Sequence, residues 1–445
     1  MNRRQMTGVA LACAILAFCF TPWFQHWVTF PNELRLMVGT PHQLQLPLPI
    51  GLSVTVDQPG LMLNDQALQP EHSLVERGNC ALYSEQPGNM QVQLKLFGLM
   101  PLRRLAVEVV PPIEVVPAGQ SIGVTVRATT MVVGHAAVQT ASGARQPAKE
   151  AGLKMGDLIL SVNEVRDPGV VEVAREIDRA GQAGQPVSFL VQREQNQVRL
   201  EVVPVRCQES RRFRIGLYVR DDAAGVGTLT FVDRESKTFA ALGHIIADID
   251  TNQALQVKDG CILRSRVTAI DQGRSGHPGE KRSIMVDEQT VIGKFQSNTG
   301  IGIFGEIMQD ITSGVSTLPV ALVDQVKEGP AEIWTVIDGE KVERFGIEIV
   351  RVNKQFSPTG KGLVIRVTDP ELLQKTGGIV QGMSGSPIVQ SGRLVGAVTH
   401  VFVNKPDTGY GVFAEWMVRE SGMLEKREQL APTFFYRRYL PNAGL

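Results

Sequence analysis

The chain has 445 residues, and at roughly 150 residues per domain that length points to about three folded units. Hydrophobic residues make up 43% and charged residues 20%, a balance that excludes a disordered chain and a polytopic membrane protein. Lys plus Arg equals Asp plus Glu at 45 each, and no basic run is interleaved with aromatics, so nucleic acid is not an expected partner.

At the N-terminus Arg3 and Arg4 precede an uninterrupted apolar stretch from Gly8 to Phe20, the charged and apolar regions of a secretory leader. That stretch is short of the ~20 residues of a full span, although Trp23 and Phe24 bring it near the lower limit. No clear Ala-x-Ala cleavage site follows. Residues 1–30 are therefore read as an uncleaved signal anchor in preference to a removed signal peptide, with the remainder carried across the membrane. From Pro31 to about Val110, short alternating stretches such as Gln91-Val92-Gln93-Leu94-Lys95-Leu96 are punctuated by Pro and Gly, which predicts a small β-rich domain over 31–112. Pro111-Pro112 and Pro117 mark its end. Of the five cysteines, Cys13 and Cys19 lie in the leader, and Cys80, Cys207 and Cys261 are scattered; neither a disulfide framework nor a metal-binding pair can be read from them.

Residues 113–206 carry the signals of a peptide-binding module. Gly119-Gln120-Ser121-Ile122-Gly123-Val124 opens a strand whose backbone N–H groups could receive a carboxylate and pair with an incoming peptide. Ala151 to Asn163 reads as a turn, a Gly156-Asp157 corner and a strand, and Val170, Val173 and Ile177 share one face of a following helix. Together these resemble a PDZ domain, with Ile122, Gly123 and Val124 as the expected peptide-binding residues. The stretch from Arg127 to Lys149 is longer and more polar than is usual in that family.

Beyond Phe213 the chain is rich in glycine and β-branched residues, with short strands at Gly227 to Val232, Phe345 to Val350, Gly362 to Val367 and Leu394 to Val398. Serine catalysis needs a hydroxyl on a tight turn, a base, a group that orients the base, and donors for the oxyanion. Gly382-Met383-Ser384-Gly385-Ser386-Pro387 supplies the first and last of these, with the backbone N–H groups of Gly382 and Ser384 as the oxyanion donors. The α/β-hydrolase elbow is excluded, because Ser386 stands where that elbow needs glycine. The run resembles the Gly-Asp-Ser-Gly-Gly-Pro signature of chymotrypsin-like peptidases, and Leu394 to His400 with Gly409-Tyr410-Gly411-Val412 continues the likeness as the wall beside the P1 side chain. Met383 replaces the aspartate that pairs with a freed N-terminus in zymogen-activated members, so that mode of activation is not open to this chain.

His244, His277 and His400 are the histidines available as base. His244 follows a small-residue strand end, Thr238 to Gly243, while His277 lies in a polar turn and His400 in the pocket wall. Spacing does not choose the orienting acid among the nine aspartates from Asp248 to Asp369. Asp369-Pro370-Glu371 also has the pattern of a helix N-cap with proline at the first helical position.

The ensemble of leader, β region, PDZ module, Ala241-Leu242-Gly243-His244, Thr368-Asp369 and the Ser384 turn resembles the stage IV sporulation protein B (SpoIVB) peptidase family over nearly the whole chain. Ala223 to Thr228 and Thr376 to Gln381 are its more specific motifs here. The resemblance implies a mainly β protein whose residues 207–445 form a chymotrypsin-like double β-barrel. It also implies a His244, Asp369 and Ser384 triad with neither metal nor other cofactor. It implies secretion from the forespore into the space between forespore and mother-cell membranes, and cleavage both of the chain itself and of a membrane-anchored regulator of an intramembrane metalloprotease, which leads to processing of the precursor of the late mother-cell sigma factor. The PDZ module would hold peptide segments. Two other readings compete: a catalytically silent PDZ scaffold, and a general quality-control protease of the HtrA kind, whose usual order of peptidase before PDZ is opposite to this one.

Overall fold

The structure, a computed structural model, describes residues 19–21, 24, 25, 28, 30, 32–46, 51–70, 73–286, 291–353 and 357–430. Of the expected anchor, residues 1–30, only Cys19, Phe20, Thr21, Phe24, Gln25, Val28 and Phe30 are among these and the rest lies outside the described residues; no described helix is long and apolar enough to cross a membrane. The chain divides into two compact units, one reaching Ile113 and the other running from Glu114 to Leu430.

The first unit contains a five-stranded and a four-stranded sheet. Strand Gly88–Leu96 buries Met90, Val92 and Leu94 at every second position, as its alternation dictates, and these join Leu36, Val54, Leu63 and Leu82 in one apolar core.

The second unit holds two six-stranded barrels. The first is built from β1 (Ser121–His135), β2 (Leu217–Asp233), β3 (Thr238–Ala241), β4 (Val257–Asp271), β6 (Val291–Thr299) and β7 (Gly302–Ile307), with β5 (Glu280–Met285) paired to β4 as a flap. Pairing runs β1-β4-β6-β7-β3-β2 and returns from β2 to β1, so no edge is left in the ring. The second is a closed barrel of β8 (Gly329–Thr335), β9 (Glu343–Val352), β10 (Leu363–Val367), β11 (Pro387–Gln390), β12 (Arg393–Phe402) and β13 (Lys405–Phe413).

Strands β1 and β2 continue beyond the first barrel, where Met131 pairs with Arg220 and His135 with Leu217, and carry between them the module of residues 136–216. Its helix α1 (Val170–Gln182) packs Val173 and Ile177 against Ile159, Val162, Phe189 and Val191. The Gly156-Asp157 corner is held by a buried pair: Asp157 accepts from the Lys154 N–H and takes two bonds of 2.7 Å from Arg193.

This topology corrects two expectations. The peptidase does not begin at residue 207 after a separate PDZ domain of residues 113–206, because the first barrel strand precedes the module, which is an insertion between the first and second strands of that barrel. Ile122, Gly123 and Val124 are not peptide-binding residues. They are buried in the ring and paired on both sides, with Arg264, Leu263 and Ile262 on β4 and with Gly227, Val226 and Gly225 on β2, so no free edge remains for a peptide.

Candidate active site

Ser384 sits on the turn that enters β11. Met383 N–H donates to Val380 O (3.0 Å), Ser386 N–H to Met383 O (2.9 Å) and Gly385 N–H to Val398 O (2.7 Å). Barrel one grips the turn from the other side, through Thr228 N–H to Ser384 O (2.9 Å), Thr228 Oγ1 to Gly382 O (2.7 Å) and Thr230 Oγ1 to Gly385 O (2.7 Å). This close approach requires glycine. Gly385 has φ +95°, and a Cβ on it would lie 2.1 Å from Thr228 O and 2.5 Å from Leu242 N. Met383 is fully buried beneath the turn. Among the described residues the N–H groups of Gly382 and Ser384 have no protein acceptor, which leaves both free for an oxyanion.

The same approach brings in His244. β3 ends at Ala241, and Leu242 and Gly243 then take left-handed φ values of +68° and +70°, turning the chain so that His244 joins Ser384 and His400 around one pocket of about 950 Å³. Leucine in this region costs roughly 1 kcal/mol, a cost concentrated where His244 is aimed. His244 Nδ1 donates to Ile245 O (2.8 Å), which keeps the proton on Nδ1 and leaves Nε2 as acceptor, the tautomer a general base needs. Burial lowers its pKa, opposed by the bond to Ile245. The loop that follows is braced by Asn298, whose Oδ1 accepts from Ile246 N–H (2.8 Å) and whose Nδ2 donates to Ile246 O (2.9 Å) and Leu255 O (3.0 Å). Asp248, also in the pocket wall, is paired with Arg220 and accepts from Thr251.

His400 lies with its ring centroid 5.1 Å from that of His244, and its pKa is lowered by desolvation first and then by His244 and Lys361. His277 is exposed on its turn and does not line the pocket. The Ser384 hydroxyl donates to Thr399 O at 2.7 Å, so in this conformation its proton is held by the pocket wall and not by His244.

Asp369 departs from its expected role of orienting His244. It is the N-cap of α2 (Pro370–Thr376), where Oδ1 accepts from Glu371 N–H (2.9 Å) and Leu372 N–H (3.0 Å), and Oδ2 from Gly346 N–H (3.4 Å). It does not line the pocket. The local Asp-Pro-Glu pattern decided its environment, because an aspartate before a first-turn proline satisfies orphan helix donors.

Thr230 and Asn298 carry no signal in the sequence, and Thr228 stands out there only as the end of the Ala223 to Thr228 motif, yet their side chains hold the serine turn and the histidine loop; threonine in a strand and asparagine before a hairpin carry no catalytic signal of their own. No group of three or more His, Cys, Asp or Glu side chains suited to a metal ion occurs among the described residues.

The sequence profile of the SpoIVB peptidase S55 family matches residues 211–418. Among solved structures, the chain is similar to the Rv3671c protease from M. tuberculosis in its active form, at 14% identity over 46% of this chain and 74% of that one, with a TM-score of 0.28. It is also similar to the HtrA-type protease AlgW with decapeptide (10% identity, 49% and 61% covered, TM-score 0.28). A third likeness is to the thermostable serine protease AL20 from an extremophilic microorganism (14% identity, 45% and 91% covered, TM-score 0.26). All three are distant in sequence and in shape. Among curated proteins none matches the chain.

Proposed function

Because residues 211–418 belong to the SpoIVB peptidase S55 family, and the chain is accordingly a serine endopeptidase, we propose that Ser384 is its nucleophile and His244 its general base. The observation that carries this reading is the meeting, across two barrels, of a serine turn with two unused backbone donors and a histidine whose Nε2 is free to accept. In the reaction the Ser384 hydroxyl turns from Thr399 O to His244 and gives up its proton to Nε2. Ser384 Oγ then attacks the scissile carbonyl, and the Gly382 and Ser384 N–H groups receive the oxyanion. His244 returns the proton to the departing amine, and a water activated by the same imidazole releases the acyl group. The Nδ1 proton is held meanwhile by Ile245 O.

The family likeness supports a finer reading: a sporulation-signalling enzyme, tethered in the space between forespore and mother-cell membranes, that cuts itself and a membrane-anchored regulator of an intramembrane metalloprotease. Within it the inserted module captures peptide at a different place from the one the sequence indicated. A groove of about 580 Å³ lies between α1 and the start of β2, lined by Val170, Val173, Ile177, Ile215, Leu217 and Val219. Among the described residues Leu217 to Val219 pair with β1 on one side only, which leaves an edge for an added strand.

The deciding experiment treats purified wild type and Ser384→Ala with a serine-reactive phosphonate and follows self-cleavage in parallel. Labelling and cleavage in the wild type alone are expected. Equal cleavage and labelling in both would end the assignment of Ser384.

A further inference from the structure

Lysine is almost never fully buried unless it is paired, yet Lys281 on β5 is 1% exposed. Its ammonium donates to Thr335 Oγ1 at 2.8 Å, and among the described residues no carboxylate bonds to it. Burial alone acts on it and pushes its pKa down to about 7.

Its position relates it to the serine turn at both ends. Lys281 N–H donates to Gln381 O (2.9 Å) and Gln381 N–H to Gly279 O (2.7 Å), so residues 279–281 pair with the residue that immediately precedes Gly382. The stem of the side chain lies along Gly382, where a Cβ would come within 3.1 to 3.3 Å of Lys281 Cβ, Cδ and Cγ. At the far end Thr335 Oγ1 is also 3.0 Å from Ser386 Oγ, and both hydroxyl-bearing residues are fully buried. The three polar groups thus run beneath the nucleophile, from the oxyanion donor at Gly382 to the residue two past Ser384.

We propose that Lys281 is a positioning residue that carries an uncompensated positive charge behind the Gly382 to Ser386 turn and acts through that turn on the oxyanion. The proposal rests on the reading of Ser384 as nucleophile. A cation without an anion in the resting enzyme gains one when the tetrahedral intermediate forms, so its interaction is stronger in the transition state than in the ground state and favours rate over substrate binding. Among the described residues the elements packed on it bring no competing charge: β8 offers Thr335, the turn offers Gln381 and Gly382, and the paired residue on β4 is Ile270. On its own hairpin Glu280, Arg282 and Asp271 are exposed, and the last two pair with each other at 2.7 Å.

The test is the rate of Ser384 labelling by a diphenyl phosphonate ester, from about pH 5 to about pH 10, on full-length wild type, Lys281→Met and Lys281→Arg, with melting temperatures throughout. The wild-type rate is expected to rise as His244 loses its proton and to fall as Lys281 loses its own above pH about 7, giving a narrow bell. Lys281→Met is expected to label about 10- to 100-fold more slowly and to lack the alkaline limb while melting no lower. Lys281→Arg, which stays charged, restores most of the rate and also lacks that limb; where it fails to fold, the Met variant decides. Equal rates, or a slow Met variant that keeps the wild-type alkaline limb, would leave the lysine a merely structural support and overturn the proposal. If the wild type itself is not labelled at Ser384, with Ser384→Ala as reference, the nucleophile assignment fails and takes this one with it. Labelling at Ser384 with a profile indifferent to Lys281 removes the lysine's role alone.

Discussion

At the scale of single residues, Gly385 and Lys281 show how closely the nucleophile turn is fitted to its surroundings. A methyl group at Gly385 would meet main-chain atoms of β2 and of the turn just past β3, Thr228 O and Leu242 N, neither of which is the end of a flexible side chain. Gly385→Ala is therefore expected to destabilise by about 2–4 kcal/mol and to abolish labelling at Ser384, measured by chemical denaturation and mass spectrometry. Lys281 gives a pH dependence whose sign follows from its shift. Its pKa falls from 10.5 to about 7 on folding, so between those values the unfolded chain binds more protons and stability rises with pH. The penalty is complete below pH about 7 and absent above the unfolded value, on the order of several kcal/mol in all. Lys281→Met is expected to remove this slope, so its gain in melting temperature over wild type should be large near pH 6 and vanish near pH 10.5. His244, lowered by burial, acts in the same direction in a lower window: stability is lost as pH falls from 6.5 through its folded value.

At the scale of elements, helix α2 separates two accounts of Asp369. As an N-cap, its carboxylate serves the Glu371 and Leu372 N–H groups through Oδ1 and the Gly346 N–H, at a long 3.4 Å, through Oδ2; the single Oδ1 of asparagine can accept from the first two, and only the long bond is lost. Asp369→Asn is expected to melt within a degree or two of wild type and to keep labelling within about threefold, whereas Asp369→Ala should lose about 1 kcal/mol. A fall in rate of several orders of magnitude at an unchanged melting temperature would mean that Asp369 leaves its cap and reaches His244 in the working enzyme. The β3 end is the complementary case. Leu242 and Gly243 in left-handed conformation aim the histidine, and Asn298 ties the succeeding loop to the β6–β7 hairpin. Both elements place chemistry where a strand or helix stops, and backbone groups left over by the element hold the side chain.

At the scale of the whole second unit, the module interrupts a barrel without breaking it, because β1 and β2 remain paired on both sides of the insertion. Arg127 and Asp222 are register partners at the point where the strands leave the ring. Replacing residues 128–221 by a two-residue Asn-Gly turn should therefore close the barrel as an ordinary hairpin. The shortened protein is expected to melt cooperatively and to label at Ser384, but to lose capture of extended peptides, read by fluorescence polarisation. Loss of folding would instead make the module part of the barrel's own core. Since β2 lines the groove with Leu217 to Val219 and the His244 pocket with Arg220 and Asp222 to Val226, an occupied groove and that side of the pocket are built on one continuous strand.

The sequence alone determined what depends on local chemistry. The glycine-flanked Ser384, the strand-end His244, the alternation of Gln91 to Leu96 and the N-cap pattern at Asp369 are each fixed by residues a few positions apart, whose dihedral preferences and periodicity act before any fold exists. The same local logic misled where partners are distant. Gly119 to Val124 has the form of a peptide-binding strand, and only the arrival of Arg264 to Ile262 on one side and Gly227 to Gly225 on the other makes it the closed interior of a barrel. Tertiary structure likewise decided that Asn298 braces the histidine loop, and that Lys281 lies beneath the serine turn with no carboxylate partner among the described residues. In each case the determining contact spans tens to hundreds of residues, and the cost of burying a charge or the reward of pairing a donor exists only once those segments have met.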